Sequence, residues 1–167
     1  NINYYLLLNN DTEIESDAIE KLYSCYKNKK AIIVPKILYA DKKNKIWCAG
    51  GNFTSVIKKP EQRGLNEADK GQYEKGGYCG FANGCCIFLS DKIISKAGLM
   101  NEKFFLYYED TEYSLRAKES GVKIWYCPKA IVYHKVNGST KGNQKPDNAY
   151  YITRNWLLCS RMHMRGW

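Results

Sequence analysis

Tyr107-Tyr108-Glu109-Asp110-Thr111-Glu112-Tyr113-Ser114-Leu115-Arg116 is the stretch that decides how this chain is read. Three carboxylates fall within four residues, directly behind the aromatic run Phe104-Phe105-Leu106-Tyr107-Tyr108. Leu115, Ala117 and Lys118 favour helix, and Gly121 supplies a stop just past the C-cap. Glu109, Asp110 and Glu112 therefore belong to the first turn of a helix running to about Ser120. A helix N-terminus favours negative charge and helps keep such carboxylates ionised. An ionised carboxylate beside an apolar wall is a candidate general base. Acidic residues also simply suit a first turn, so the rest of the chain has to decide between the two readings.

Working outward, short strand-like segments surround this helix. Tyr4-Tyr5-Leu6-Leu7-Leu8 is a continuous apolar run, which predicts a buried central strand of a parallel sheet. It ends at Asn9-Asn10-Asp11-Thr12, and polar groups at the carboxyl end of a buried strand hold the usual ligand position of open α/β sheets. Asp11 suits a divalent metal there, since hard cations prefer oxygen. Asn and Asp are equally good turn formers. A helix follows, with Ser16 as N-cap and Ile19, Leu22, Tyr23 and Tyr26 as its core stripe. Ala31-Ile32-Ile33-Val34 is the next buried strand, limited by Pro35. Together these predict a right-handed β-α-β unit.

Ile46-Trp47-Cys48-Ala49 and Thr54-Ser55-Val56-Ile57 suggest an antiparallel excursion around Gly50-Gly51-Asn52. Glu61 to Gly77 is polar and reads as a mobile surface loop. Asn83-Gly84 separates two strand-like pieces, and Gly84 suits either a close approach or a plain bulge. Ser90 caps a short helix, Asp91 to Ala97, ended by Gly98. Val122 to Tyr126 reads as a strand stopped by Cys127-Pro128, and Ala130 to Tyr133 as a second one ending at His134. Lys135 to Pro146 is a loop with lysine and hydroxyl donors suited to a phosphate, without a Walker pattern. The final segment reads as a C-terminal helix over 146–167, and the whole chain, 1–167, as a single domain.

Bulk composition narrows the classes. The chain has 167 residues, 44% of them hydrophobic, with a net charge of +9. That excludes a disordered chain, and no apolar run approaches the ~20 residues of a membrane-spanning helix. The lysines are scattered rather than blocked, as on an ordinary solvated surface. Nucleic acid is not an expected partner, because no recognised nucleic-acid motif accompanies the charge. The seven cysteines form no Cys-x-x-Cys and several sit in apolar runs, which predicts buried free thiols in a reducing compartment. Cys79, Cys85 and His134 match no standard zinc spacing. The start carries no signal-peptide pattern.

These pieces occur in an order that resembles the C-terminal portion of family-2 glycosyltransferases, particularly bacterial rhamnosyl- and galactosyl-type enzymes of surface-polysaccharide synthesis. The likeness rests on Leu7 to Thr12, Asn83-Gly84, Phe104 to Glu112, Arg116, Gly121, Pro128 to His134 and Tyr150-Tyr151-Ile152-Thr153-Arg154-Asn155, and covers essentially the whole chain. It implies an α/β chain with a partial GT-A (nucleotide-diphospho-sugar transferase) fold, a mixed central sheet flanked by helices, with the N-terminal nucleotide-binding half missing. A fragment of that kind is expected to have weak or no activity alone.

The resemblance assigns roles by position. Asp110 corresponds to the catalytic base. Glu109, Glu112, Asn83 and Gly84 correspond to acceptor-binding positions. Asn9, Asn10, Lys135, Ser139, Thr140 and Lys141 correspond to donor-binding positions. Asp11 and His134 correspond to metal ligands for Mn2+ or Mg2+. Asn9 stands where the family's motif has its first Asp and contributes no charge. The implied partners are a UDP- or dTDP-linked sugar donor and a saccharide or lipid-linked saccharide acceptor, with peripheral membrane contact of the basic final helix. The implied location is cytoplasmic, at the inner face of the plasma membrane. The implied reaction is an inverting hexosyl transfer. The competing expectation is a non-catalytic module that holds polysaccharide or a partner chain on the same fold remnant.

Overall fold

The computed structural model describes residues 3–54, 59–135 and 146–163. Its strands are β1 (Tyr4–Leu8), β2 (Thr12–Ile14), β3 (Ile32–Tyr39), β4 (Ile46–Cys48), β5 (Gly51–Phe53), β6 (Pro60–Gln62), β7 (Gly77–Cys79), β8 (Cys86–Ser90) and β9 (Ile124–His134). Its helices are α1 (Ala18–Lys29), α2 (Asp91–Ala97), α3 (Glu109–Glu119) and α4 (Pro146–His163). The main sheet runs β1-β8-β3-β9-β2, with β4 added beside β3 and β7 beside β9. Among the described residues, only β3 and β9 pair in parallel; the remaining pairs of the main sheet are antiparallel. The chain is thus a mixed sheet with flanking helices, as the resemblance implies. Among the described residues no helix is long and apolar enough to cross a membrane.

β3 is the true centre. Ile32, Ile33, Val34 and Ile37 are almost completely buried, because both of its faces are covered and its neighbours β8 and β9 take its backbone groups. β1 corrects the sequence expectation. Among the described residues it lies at the sheet edge and pairs with β8 alone, and Tyr4, Tyr5, Leu7 and Leu8 are 36–40% exposed. An unbroken apolar run predicts cover on both faces, which this strand does not have. β1 and β3 do run in the same direction, but β8 is inserted antiparallel between them.

Two prolines expected to end strands do not. β3 passes through Pro35, and β9 passes through Pro128. The β3–β9 register jumps there, from Pro35 opposite Cys127 to Lys36 opposite Ile131. A proline lacks a ladder donor, and a bulge is where a sheet tolerates that loss. The excursion also pairs differently: β4 adds to β3, and β5 pairs with β6. Ser55 to Ile57 lie outside the described residues. Helix α1 starts after Asp17 rather than Ser16.

The polar 61–77 stretch is tied down rather than loose. Lys36 is 1% exposed, and its ammonium pairs with Asp69 at 2.9 Å and with Glu74. Burial alone would depress the Lys36 pKa, but the two carboxylates hold it raised. Cys25 and Cys127 form a disulfide joining α1 to β9, which corrects the expectation of free thiols for that pair. Cys48, Cys85, Cys86 and Cys159 are buried and free, and burial pushes the Cys48 and Cys86 thiols up to about 12. Ser90 accepts from Ile93 N at the start of α2, and Gly98 closes it at φ 78°.

Candidate active site

One half of the site is made where β1 gives way to β2. Thr12 Oγ1 donates to Asn9 O at 2.6 Å, closing a turn over Asn10 and Asp11. Asn9 N donates to Cys85 O at 3.0 Å and Lys135 N to Asp11 O at 2.8 Å. Thr12 faces His134 in the β2–β9 ladder. The result sets His134 Nε2 3.4 Å from Asp11 Oδ1. The His134 ring packs edge-on against Trp47, centroids 5.1 Å apart, and its Nδ1 is buried with no hydrogen-bond partner among the described residues. Adjacent ligands of an octahedral ion bonded at about 2.1 Å stand about 3 Å apart. A carboxylate oxygen and an imidazole nitrogen at 3.4 Å therefore fit two positions of a divalent cation. No cluster of three or more such ligands occurs among the described residues, so the other positions would fall to amide or carbonyl oxygens, water or a ligand's own oxygens.

The other half is the first turn of α3. Tyr107 and Tyr108 both have positive φ, 64° and 69°, so the chain enters the helix through two left-handed residues. Asp110 stands two residues beyond Tyr108. Its Oδ2 accepts from Gly84 N at 2.9 Å and its Oδ1 from Thr111 N at 2.7 Å. Ser114 Oγ donates to Asp110 O at 2.7 Å and accepts from Ala82 N at 3.0 Å, stitching α3 to the segment before β8. Gly84 is a close approach, not a bulge: a Cβ there would lie 3.3 Å from Asp110 Cβ and Oδ2. Burial raises the Asp110 pKa, and the Gly84 and Thr111 donors oppose that rise. Glu109 is pushed up to about 7, first by burial and then by the neighbouring Asp110 charge. Its Oε2 is buried with no hydrogen-bond partner among the described residues.

The two halves share the Asn83-Gly84-Cys85 segment. Gly84 holds Asp110 while Cys85 holds Asn9. Leu8 pairs with Cys86 and Tyr39 with His134, so the carboxyl ends of β1, β3 and β9 and the start of β8 form one rim of the sheet. Asp11, His134, Gly84 and Asp110 all stand on that rim.

Other residues singled out in the sequence are engaged elsewhere. Glu112 is 0% exposed, with Arg116 donating to its oxygens at 2.8 and 3.0 Å and His163 Nε2 lying 3.5 Å away. It is an internal counter-ion: a buried carboxylate needs cations beside it, and Arg116 and His163 stand there. The i,i+4 spacing to Arg116 already contained that partner. The side chain of Asn83 turns back, its Oδ1 accepting from Cys85 N at 3.0 Å. Asn9 and Asn10 are exposed. Lys135 pairs with Glu13 at 2.7 Å. Ser139, Thr140 and Lys141 lie outside the described residues. A cavity of about 530 Å³ lined by Tyr78, Lys118 and Lys123 among others shares no residue with the rim.

Sequence reading gave no role to Asn155. It is wholly buried, and its Nδ2 donates to Leu106 O and Tyr107 O, each at 2.8 Å.

With this geometry in hand, comparison with known proteins is informative. No family model matches the chain. It is 28% identical over 158 residues to the low-salt glycan biosynthesis hexosyltransferase Agl10 of Haloferax volcanii, which takes in 93% of this chain and 50% of that protein. The chain therefore spans about half the length of that curated relative. Among solved structures it resembles GalNAc-T7, crystallised with UDP, GalNAc and Mn2+, with a TM-score of 0.66 at 12% identity over 95% of this chain and 31% of that one. At that identity the likeness is one of fold. The mixed sheet, the hexosyltransferase relative and the structural neighbour together support a glycosyltransferase fold for this chain.

Proposed function

We propose that the chain belongs to the catalytic domain of a metal-dependent, inverting family-2 glycosyltransferase of the GT-A kind. It moves a hexose from a nucleotide-diphosphate sugar to a hydroxyl of a saccharide acceptor in glycan synthesis. The observation that carries this reading is the Asp110 carboxylate, gripped by Gly84 N and Thr111 N on the rim that also bears Asp11 and His134. The relative's naming as a hexosyltransferase and the UDP and Mn2+ of the structural neighbour support the choice of donor and metal.

The chemistry follows from the residues. A sugar hydroxyl is a weak nucleophile until a carboxylate takes its proton. Asp110 Oδ1 accepts from Thr111 N and from the Thr111 hydroxyl, and Oδ2 accepts from Gly84 N, which fixes the plane of the group and leaves a lone pair on Oδ2 for an incoming hydroxyl. The proton passes to Asp110, the hydroxyl oxygen attacks the anomeric carbon from the face opposite the leaving group, and the bond to the diphosphate oxygen breaks with its electron pair. A single displacement inverts that carbon. The raised pKa of Asp110 makes the carboxylate a better proton acceptor than a solvated one. Asp11 and His134 would hold Mn2+ or Mg2+. A divalent cation at that position supplies neutralising charge for the departing diphosphate. Glu109, next to the base, would accept from acceptor hydroxyls.

The test is Asp110→Asn in the native full-length protein. Transfer from a panel of UDP- and dTDP-hexoses to a saccharide acceptor should fall by at least a thousandfold while UDP binding in Mn2+ is retained. Wild-type transfer by the variant would refute the assignment.

A further inference from the structure

The carboxylates of α3 are reached through an unfavourable stretch of backbone. Two successive residues with side chains, Tyr107 and Tyr108, sit in the left-handed region, at φ 64° and 69°. Such conformations persist only where the surroundings impose them. What imposes them is visible on α4. Asn155 is 0% exposed, and its amide donates both hydrogens, one to Leu106 O and one to Tyr107 O, at 2.8 Å each. Arg154 Nη1 donates to Asn155 Oδ1 at 2.6 Å and to Lys103 O at 3.0 Å. That bond fixes which end of the amide points at the turn, since the reverse orientation would set an oxygen against two carbonyls. The next carbonyl along, Tyr108 O, accepts the first helical bond, from Glu112 N at 2.8 Å. Glu109 and Asp110 begin the helix there.

We infer that Asn155, oriented by Arg154, is a positioning residue for the base: it locks the left-handed turn that aims Asp110 at Gly84 N and the rim. The inference rests on the proposed glycosyl transfer for its catalytic consequence, but the lock itself is a statement about geometry. The reasoning is local. Two carbonyls are held by one buried amide, the N-cap residue Tyr108 makes no side-chain cap hydrogen bond of its own, and the base is two residues beyond Tyr108. A shift of about 1 Å in a reacting group costs about a hundredfold in rate.

The experiment uses Asn155→Asp, which keeps the shape but turns an acceptor toward two carbonyl oxygens, and Arg154→Met, which leaves Asn155 in place without its orienting partner. Arg161→Ala, exposed on the same helix, is the control. Hydrogen exchange is read in the native full-length protein. Both variants should speed exchange at amides 108–112 while leaving β8 and β9 protected, and Arg161→Ala should change neither. Carbodiimide labelling with glycine ethyl ester should rise at Asp110 in both. In the transfer assay kcat should fall about a hundredfold for Asn155→Asp, with the dissociation constant for UDP in Mn2+ within about twofold of wild type. Unchanged exchange and labelling at 108–112 would overturn the inference. So would loss of protection spread evenly over the sheet, which would mark Asn155 as ordinary core support. If Arg154→Met alone folds, its exchange and labelling decide. Asp110→Asn run beside them separates the two claims: full transfer by that variant sinks the functional reading, while exchange and labelling still judge the lock.

Discussion

Gly84→Ala asks whether the grip on Asp110 matters. A methyl at position 84 would meet Asp110 Cβ at 3.3 Å, Oδ2 at 3.3 Å and Cγ at 3.6 Å. The first two distances are tighter than ordinary carbon contacts, so the carboxylate must retreat by a few tenths of an ångström. Retreat lengthens the Gly84 N to Oδ2 bond from 2.9 Å. A hydrogen bond to a charged group contributes about 1.5–3 kcal/mol, and weakening it by half removes about 1 kcal/mol. That bond is one of the groups holding the Asp110 pKa down against burial, so weakening it moves the pKa upward. Displacement of the base adds a loss in the transfer step, for a combined fall of about ten- to a hundredfold in kcat. The assay is transfer measured against pH with Gly84→Ala and, as control, Gly77→Ala, where an added Cβ meets nothing within 4 Å. Gly84→Ala should lose rate and shift the acid limb of its profile to higher pH, and Gly77→Ala should do neither. Wild-type kcat and an unmoved acid limb for Gly84→Ala would show that the Gly84–Asp110 contact has no part in the chemistry.

Two further perturbations test how the frame is held. Lys36→Met removes the only cation paired with Asp69 and Glu74 among the described residues; Glu74 can turn to solvent, so the cost should be about 2 kcal/mol, below the 3–5 kcal/mol of a fully buried broken pair. Calorimetry should show Tm lowered by roughly 4–8 °C, and an unchanged Tm would deny the pairing. The Glu112–Arg116–His163 cluster gives a stability profile with two flanks. Burial pushes the Glu112 pKa up, yet the nearby His163 imidazole and the hydrogen-bonded Arg116 guanidinium outweigh it and hold the group at about 2. Its contribution is complete above the ordinary value of 4.5 and disappears as pH falls toward about 2. The His163 pKa is raised by the Glu112 carboxylate beside it, against burial and with help from Glu119. Its contribution is complete below 6.5 and is lost as pH rises through the raised value. Thermal melts of His163→Gln should lose the decline on the alkaline side and keep the acidic one; an unaltered alkaline flank would remove His163 from the account.

Much of the local structure was legible because its elements announce themselves in a few residues. The acidic first turn of α3, the Ser90 cap with Gly98, and the Gly121 stop, where φ is 73°, depend on a few neighbouring residues and read directly from sequence. The order of the strands does not. Tyr4 to Leu8 carries the composition of a central strand, yet β8 lies between it and β3, and nothing within the run encodes that neighbour. Pro35 and Pro128 read as strand ends because a proline breaks a regular ladder. Only the register of the two strands together reveals the bulge that accommodates both. Glu112 shared a stretch with Asp110 but not its fate, since two positions along a helix turn one side chain to the rim and the other inward to Arg116. Asn155 was silent because its partners, the carbonyls of Leu106 and Tyr107, are nearly fifty residues upstream: |i−j| is 49 and 48.

The central claim is that Asp11, His134 and Asp110 border a single cleft that takes a metal and a nucleotide diphosphate. Mn2+ in place of Mg2+, added with UDP to the native full-length protein and followed by paramagnetic broadening of backbone amides, reads that arrangement directly. Signals of Asp11 and His134 should vanish first, then those of Gly84 and Asp110, while Ile32 and Ile124 at the far end of the sheet persist. Broadening centred on the Lys118–Lys123 cavity, or sparing Asp11 and His134, would contradict it.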